Sequence, residues 1–403
     1  MISFLRKLAG KNKFFETIVY FGFLIYEMKT RLIFIFFGRK PIENKKIVIT
    51  AMQGTRYGDN PYYISEVLRQ SNNGYDIVWL LKESVEDQVD KGIRRVNYDD
   101  TFASIKELAT AHVWIDCNMK YSGFIKRKKQ IYIQTWHGSY GLKKIGFDLG
   151  GKISLIDKRN MLYNSKRTDI MLSNSQKTTE IYKRAFGYNG EMIEKGSPRN
   201  DMLLNDNPDI DLKVRKYFGL SEDINIVLYA PTYRNDYSTD SMKLDFYRLK
   251  HSLENRFGGT WVILIRLHYK NMCEAKDFIK YDEWLKNATD YGVMQELLVA
   301  SKVLVTDYSS CMFDFATTKK TCFIYASDLE KYNHDRGNYF AMDELPFPMA
   351  SNNDELERII TSFEEDSYFR DLSELFEKVG LNETGKASEY VAEYIKNQLN
   401  DIK

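Results

Sequence analysis

The chain has 403 residues, of which 43% are apolar and 28% charged, with a formal net charge of +2. This length permits two domains with separate cores, and the composition excludes a disordered chain. So balanced a charge gives no reason to expect a nucleic-acid partner. The four cysteines are far apart and lack metal-ligand spacing with the five histidines, so they read as small core residues of a reduced protein.

Residues 1–45 differ from the rest. The first 46 residues carry ten Lys and Arg against three acids, around two aromatic-rich apolar runs, Phe14 to Tyr26 and Leu32 to Phe37. The first run is broken by Glu16 and falls short of the ~20 residues a spanning helix needs. No small-residue cleavage site follows, which argues against a signal peptide. Basic residues flanking Phe, Tyr and Ile suit helices lying on an anionic membrane surface. The alternative is a helix packed on the protein's own core.

From Lys46 the pattern is α/β. Strands are predicted at Ile47 to Ala51, Asp76 to Leu81, His112 to Asp116, Ile131 to Thr135 and Asp169 to Ser173, with helices around Ala103 to Ala109 and Thr178 to Ala185. The first strand exits into a Gly- and Asn-Pro-containing loop that includes Asn60, with a helix starting near Pro61. After a polar segment, Asn205 to Asp223, a second series follows: strands Ile224 to Ala230, Trp261 to Leu267, Val303 to Thr306 and Thr321 to Ala326. Helices are expected at Asp245 to Arg256, Cys273 to Leu285, Met294 to Ala300 and Ser309 to Thr317. Such alternation implies mostly parallel sheets covered by helices. The reading is an α/β protein of two facing Rossmann-like domains, 46–210 and 211–375, preceded by the membrane-associating helical segment. A C-terminal helix, 376–403, is expected to pack back on the first domain.

Ligands in such sheets bind where strands exit. Ile131 to Thr135 exits into Trp136-His137-Gly138, with Lys143 and Lys144 beyond. The strand from Trp261 carries Arg266 and reaches His268, and Ile224 to Ala230 exits into Pro231-Thr232-Tyr233-Arg234. Gly196-Ser197-Pro198-Arg199-Asn200-Asp201 closes another strand. Val303 to Thr306 stops at Asp307, where Ser309 and Ser310 either cap a helix or bind an anion beside its start. His, Arg, Lys and Ser at these exits are the types that hold or transfer phosphate. No P-loop and no Gly-x-Ser-x-Gly elbow is present.

Taken together, Gln134 to Gly138 with Leu142 to Gly146, Gly196 to Asp201, Leu228 to Arg234, Arg266 to His268, Thr306 to Phe315 and Arg336 to Phe340 resemble the CDP-glycerol glycerophosphotransferase family. They fall in the family's order over roughly residues 47 to 390. The loop Ser139-Tyr140-Gly141 and Tyr269 after His268 depart from the family's usual residues. The resemblance implies a GT-B architecture with an acceptor-side first domain and a nucleotide-binding second one. It also implies transfer of glycerol phosphate from CDP-glycerol to a lipid-linked saccharide or growing poly(glycerol phosphate), with release of CMP. His137 would be the base. His268 and Arg266 would hold the pyrophosphate, with Ser309, Ser310, Thr232, Arg234 and Asp307 on the donor side. Asn60, Gly138, Lys143 and Arg199 would belong to the acceptor side or cleft. Neither metal nor cofactor is expected. The implied location is peripheral, on the cytoplasmic face of the cell membrane through residues 1–45, and a homo-oligomer stays open. The rival readings are a GT-B glycosyltransferase using a CMP- or UDP-sugar in capsule synthesis, and a non-catalytic polysaccharide-binding protein.

Overall fold

The computed structural model describes residues 13–90, 92–138, 141, 143–232, 244–267, 279–329 and 337–400. The chain divides into two compact units. The first comprises Met1–Gly138, Ile145–Asp201 and Asn382–Lys403, and the second Ser139–Lys144 and Met202–Leu381.

The first unit is built on a seven-stranded, wholly parallel sheet in the order β3-β2-β1-β4-β5-β6-β7. Its strands are β1 (Glu43–Thr50), β2 (Asp76–Leu81), β3 (Arg94–Asn97), β4 (Ala111–Asp116), β5 (Ile131–Gln134), β6 (Ile170–Ser173) and β7 (Glu191–Glu194). Successive residues Ile47, Val48 and Ile49 of β1 are all buried, because a parallel sheet is covered on both faces and needs apolar side chains on each. One face packs on α2 (Asp59–Gln70) and on the C-terminal helix α12 (Ala387–Asn400), through Ile64, Leu68, Val391 and Ile395. The other packs on α3 (Thr101–Thr110) and on α1 (Lys13–Phe37), through Leu108, Phe34 and Phe37. Two further helices, α4 (Leu155–Arg167) and α5 (Gln176–Phe186), complete the layer. The ends of α5 are fixed by local chemistry. Ser175 Oγ accepts from Thr178 N at its start, and Gly187 takes the left-handed conformation at its close, where a side chain would cost energy.

The second unit repeats the plan with six parallel strands in the order β10-β9-β8-β11-β12-β13. These are β8 (Asn225–Ala230), β9 (Trp261–Ile265), β10 (Leu285–Asn287), β11 (Val303–Thr306), β12 (Thr321–Tyr325) and β13 (Met349–Ala350). The helices described here are α6 (Pro208–Phe218), α7 (Phe246–Phe257), α8 (Met294–Ala300), α9 (Cys311–Ala316), α10 (Asn353–Thr361) and α11 (Glu365–Val379), and α12 is Ala387–Asn400. Both sheets run 3-2-1-4-5-6 in their first six strands, the doubly wound order, which places a switch point between the first and fourth strands.

Three sequence expectations change. The helix expected to end at Leu285 does not: residues 279–284 are not helical, and Leu285–Asn287 forms edge strand β10, paired with Ile263, Leu264 and Ile265. The segment read as polar, Asn205 to Asp223, contains α6, whose Val214 and Phe218 are buried. The two N-terminal apolar runs form one continuous helix, α1.

That helix has two halves. From Glu27 onward it is bolted down. Phe34 and Phe37 enter the core, and the buried Glu27 carboxylate accepts from Ser122 Oγ (2.6 Å) and Arg159 Nε (2.7 Å), with Arg31 beside it. Before Glu27 no described α1 residue is buried. Along the outer side, Phe14, Ile18, Phe21, Ile25, Met28, Leu32, Ile35 and Phe36 are each more than half exposed. Their spacing of three and four puts them on one helical face. No described helix is long and apolar enough to cross a membrane.

Candidate active site

In the first unit the exits of β4 and β5 lie side by side, since Asp116 is paired with Gln134. The chain leaves β5 through Trp136, whose φ of 52° is left-handed; for a bulky residue this costs about 1–3 kcal/mol and must be held in place by its surroundings. The turn brings His137 back over β4, where Nδ1 lies 2.7 Å from the carbonyl oxygen of Cys117. A carbonyl can only accept, so Nδ1 carries the proton and the lone pair is on Nε2. The Trp136 ring stacks on the imidazole at 4.3 Å between centroids. Burial pushes the His137 pKa below its ordinary value, with the Cys117 carbonyl acting the other way. The result is a neutral imidazole of fixed tautomer, suited to accept a proton.

The loop is held from behind. Asn60 Nδ2 donates to the Trp136 carbonyl (3.0 Å), and its Oδ1 accepts from Arg199 N (3.0 Å). Arg199 Nη1 donates to the His137 carbonyl (2.8 Å) and meets Asp59 at 3.3 Å. Tyr182 Oη donates to the Gly138 carbonyl (2.9 Å). Asn60 and Arg199, read from sequence as acceptor-side or cleft groups, are 2% and 6% exposed. They hold the histidine's backbone. The rest of the Gly196-to-Asp201 motif is framework too. Glu383 accepts from Ser197 N, Asn174 Nδ2 and Asn200 Nδ2, each at 2.9 Å, and the Asp201 carboxylate accepts from Ala387 N and Ser388 N at the start of α12. Below the site, Lys120 is buried against Asp116 at 2.6 Å.

In the second unit Thr232, Asp307, Ser309 and Ser310 lie at the exits of β8 and β11, the neighbouring first and fourth strands of its sheet. Asp307 Oδ1 accepts from Thr232 N (2.8 Å), Thr232 Oγ1 (2.6 Å) and Tyr308 N (2.6 Å), tying the two exit loops together. Asp307 is buried. Ser309 and Ser310 follow, half-buried, ahead of α9. Ser310 occupies the N-cap position without a side-chain capping bond, and Ser309 Oγ reaches Cys311 N only at 3.5 Å. The helix behind them is buried through Met312, Phe313, Phe315 and Ala316, so its start is rigid. The Arg266 guanidinium donates to the Tyr291 carbonyl. Lys143 forms an isolated bridge with Asn338. His268 and Arg234 lie outside the described residues. Among the described residues no group of His, Cys, Asp and Glu could hold a metal ion.

Of the residues singled out in the sequence, the fold brings together His137, Gly138, Asn60 and Arg199 in one unit, and Thr232 and Asp307, with Ser309 and Ser310 beside them, in the other. The sequence reading missed Asp59, Trp136 as a stacking partner, Tyr182 and Glu383. The positively charged Arg199 needed a buried acid, which was the one available hint to Asp59.

The whole chain is similar to known proteins in sequence and in fold. The chain is 30% identical over 390 residues to the teichoic acid poly(glycerol phosphate) polymerase of Bacillus subtilis (strain 168), covering 91% of this chain and 52% of that protein. It is 30% identical to the protein of the same description from Bacillus spizizenii, covering 92% of this chain and 95% of that one. It therefore spans about half the length of the first and nearly all of the second. The structure of the wall teichoic acid polymerase TagF superimposes with a TM-score of 0.80 at 27% identity, covering 97% of this chain and 98% of that one; this is a GT-B-like fold. The pattern of the family described as CDP-Glycerol:Poly(glycerophosphate) glycerophosphotransferase matches residues 32–397. With most of its length matched, the chain belongs to the CDP-glycerol:poly(glycerophosphate) glycerophosphotransferase family.

Proposed function

We propose that the protein transfers glycerol phosphate from CDP-glycerol to a hydroxyl of a membrane-bound acceptor, a lipid-linked saccharide or growing poly(glycerol phosphate), and releases CMP in teichoic-acid-type polymer synthesis. The observation that carries this reading is the His137 imidazole with Nδ1 fixed on the Cys117 carbonyl. The acceptor hydroxyl gives its proton to Nε2 as its oxygen bonds to the phosphorus bearing glycerol. The bond from that phosphorus to the bridging oxygen breaks, and CMP departs with the electron pair. Such a step depends on placement and charge neutralisation rather than on covalent chemistry by the protein. Ser309, Ser310 and Thr232, with Arg266, Arg234 and His268, are assigned to the donor's phosphates. Asp307 is assigned to shaping that loop. Lys143 is assigned to the acceptor side. Binding of the CDP-glycerol donor is supported by a TagF structure, a His-to-Asn variant soaked with CDPG, at a TM-score of 0.81 and 27% identity.

The same reading places the protein on the membrane surface, peripherally, through the outer stripe of α1. Eight large apolar side chains on one helical face are the pattern of a helix lying in an interface. Phe21→Asp with Ile25→Asp moves the protein from the membrane to the soluble fraction if this is right; an unchanged distribution refutes it. These changes leave Phe34 and Phe37 in the core.

The activity is tested with purified full-length protein, CDP-glycerol and a defined lipid-linked disaccharide. The expected result is CMP release with a product heavier by whole glycerol phosphate units, and the number of units separates priming from polymerisation. Release of CMP from a CMP-sugar or of UDP from a UDP-sugar, with CDP-glycerol left intact, would favour the glycosyltransferase reading. CDP-glycerol binding without turnover would favour a binding protein.

A further inference from the structure

The unburied half of α1 does not rest on the sheet. Between them is a cavity of about 660 Å³, walled by Val19 and Phe23 of α1, Leu80, Ile105, Leu108 and Phe124. That is the size of a ligand site, and its lining is mostly apolar. We infer that it receives the hydrocarbon chain of the lipid-linked acceptor, entering sideways from the bilayer past Ile18 and Gly22. This rests on the function proposed above.

Three observations select that occupant. Ile18 is both a member of the outer apolar stripe and part of the cavity wall. Gly22 is exposed, lines the cavity, and would place a Cβ with nothing within 4 Å. The opening therefore lies on the face proposed to meet lipid, so a chain passes from bilayer to protein without crossing water. The charged groups at the cavity's other end are paired, Lys82 with Asp99 at 3.3 Å and Lys120 with Asp116 at 2.6 Å, which leaves a lining suited to a neutral apolar guest. Finally, Gln53 and Tyr121 line this cavity and also a second one of about 290 Å³, where Trp136, Asn118 and Asn160 contribute. Trp136 is the residue stacked on His137. A chain seated under α1 thus delivers its head past Gln53 to the second, more mixed pocket, where Asn118, Asp157 and Asn160 offer polar groups. Gln53 is itself in a left-handed conformation, φ 55°, the kind of local strain that gathers at functional positions.

The test uses the full chain and a dodecyl phosphate carrying a photoreactive diazirine at mid-chain, with labelled peptides read by mass spectrometry. Labelling of Val19, Phe23, Ile105 or Leu108 is expected. Labelling confined to Phe21, Ile25 and Phe36 overturns the proposal, because it shows surface partition alone. Loss of wall labelling on adding excess phosphatidylglycerol assigns the cavity to bulk lipid and overturns the acceptor assignment. In turnover, Gly22→Phe at the mouth and Ile105→Trp from the opposite wall should each raise KM for a long-chain acceptor tenfold or more. KM for an acceptor with a four-carbon chain and for CDP-glycerol should stay within twofold. Equal KM changes for both acceptors in both variants would contradict the idea. Should wild-type protein turn over neither acceptor, the transferase reading has failed, while the labelling result still decides whether the cavity holds a chain.

Discussion

Arg199 donates to the carbonyl oxygen of His137 at 2.8 Å from a position 62 residues further along the chain. Two residues that the sequence reading put at the site, one as base and one at the acceptor side or cleft, thus differ in place: the histidine is the proposed base, and the arginine fixes the histidine's backbone. Because Arg199 is also the buried partner of Asp59, its loss leaves a carboxylate stranded. Removing one member of a buried pair costs about 3–5 kcal/mol. Arg199→Ala should therefore lower the urea midpoint sharply. Asp59→Ala with Arg199→Ala should be less destabilised than the sum of the single changes, as read from a double-mutant cycle. Additive losses would mean the pair is not coupled.

The His137 imidazole should show itself in the pH profile. Burial disfavours its cation, so its pKa lies below the ordinary ~6.5. The base form then persists to lower pH than for an exposed histidine. On the acid side kcat/KM should fall with unit slope and an inflection below about 6.5. An acid limb centred above 7 would be inconsistent with this environment.

Glu27 predicts a second pH dependence, this time in stability. Burial raises its pKa, but the hydrogen bonds from Arg159 and Ser122 and the charges of Arg159 and Arg31 outweigh that and hold it at about 2 against an ordinary 4.5. A carboxylate depressed in the folded state contributes its full stabilisation above the unfolded pKa and loses it as pH falls through the folded one. The window is therefore pH 4.5 to about 2, and the size is on the order of 3 kcal/mol. Urea midpoints measured at pH 6 and pH 3 should differ less in Glu27→Gln than in wild type. The variant should already be weaker at pH 6, with α1 the first element to lose amide protection.

Gly196 supports the framework behind the site. Its φ is +109°, and an added Cβ would stand 2.6 Å from Glu383 Oε2. Gly196→Ala should cost about 1–3 kcal/mol in backbone strain alone, plus displacement of the carboxylate that joins Asn174, Ser197 and Asn200. A thermal midpoint within a degree of wild type would show that the loop accommodates the methyl group.

The sequence made the centres of both sheets legible because their strands are unbroken apolar runs, such as Val303 to Val305 and Ile47 to Ile49. Edge strands carried no such mark. Arg94-Arg95-Val96-Asn97 and Glu191-Met192-Ile193-Glu194 each hold few apolar residues, since an edge pairs on one side only. Helix α4 escaped notice because its sequence is largely polar, although Ile156 and Met161 are buried. In the site, residue types at strand exits pointed to His137, Ser309 and Ser310. The partner that sets the histidine's tautomer is a backbone carbonyl, at Cys117, and a carbonyl has no signature in sequence. Pairings such as Asp59 with Arg199 or Asn200 with Glu383 join residues 140 and 183 positions apart, and only the fold brings them together.

The most direct measurement is single-turnover CMP release from CDP-glycerol with a lipid-linked acceptor, comparing wild type with His137→Ala, alongside calorimetric CDP-glycerol affinity for both. The expected result is a rate loss of about 10²–10⁴-fold, the usual worth of a positioned base, with donor affinity within threefold. A His137→Ala protein that releases CMP at the wild-type rate would contradict the assignment of this residue as the base.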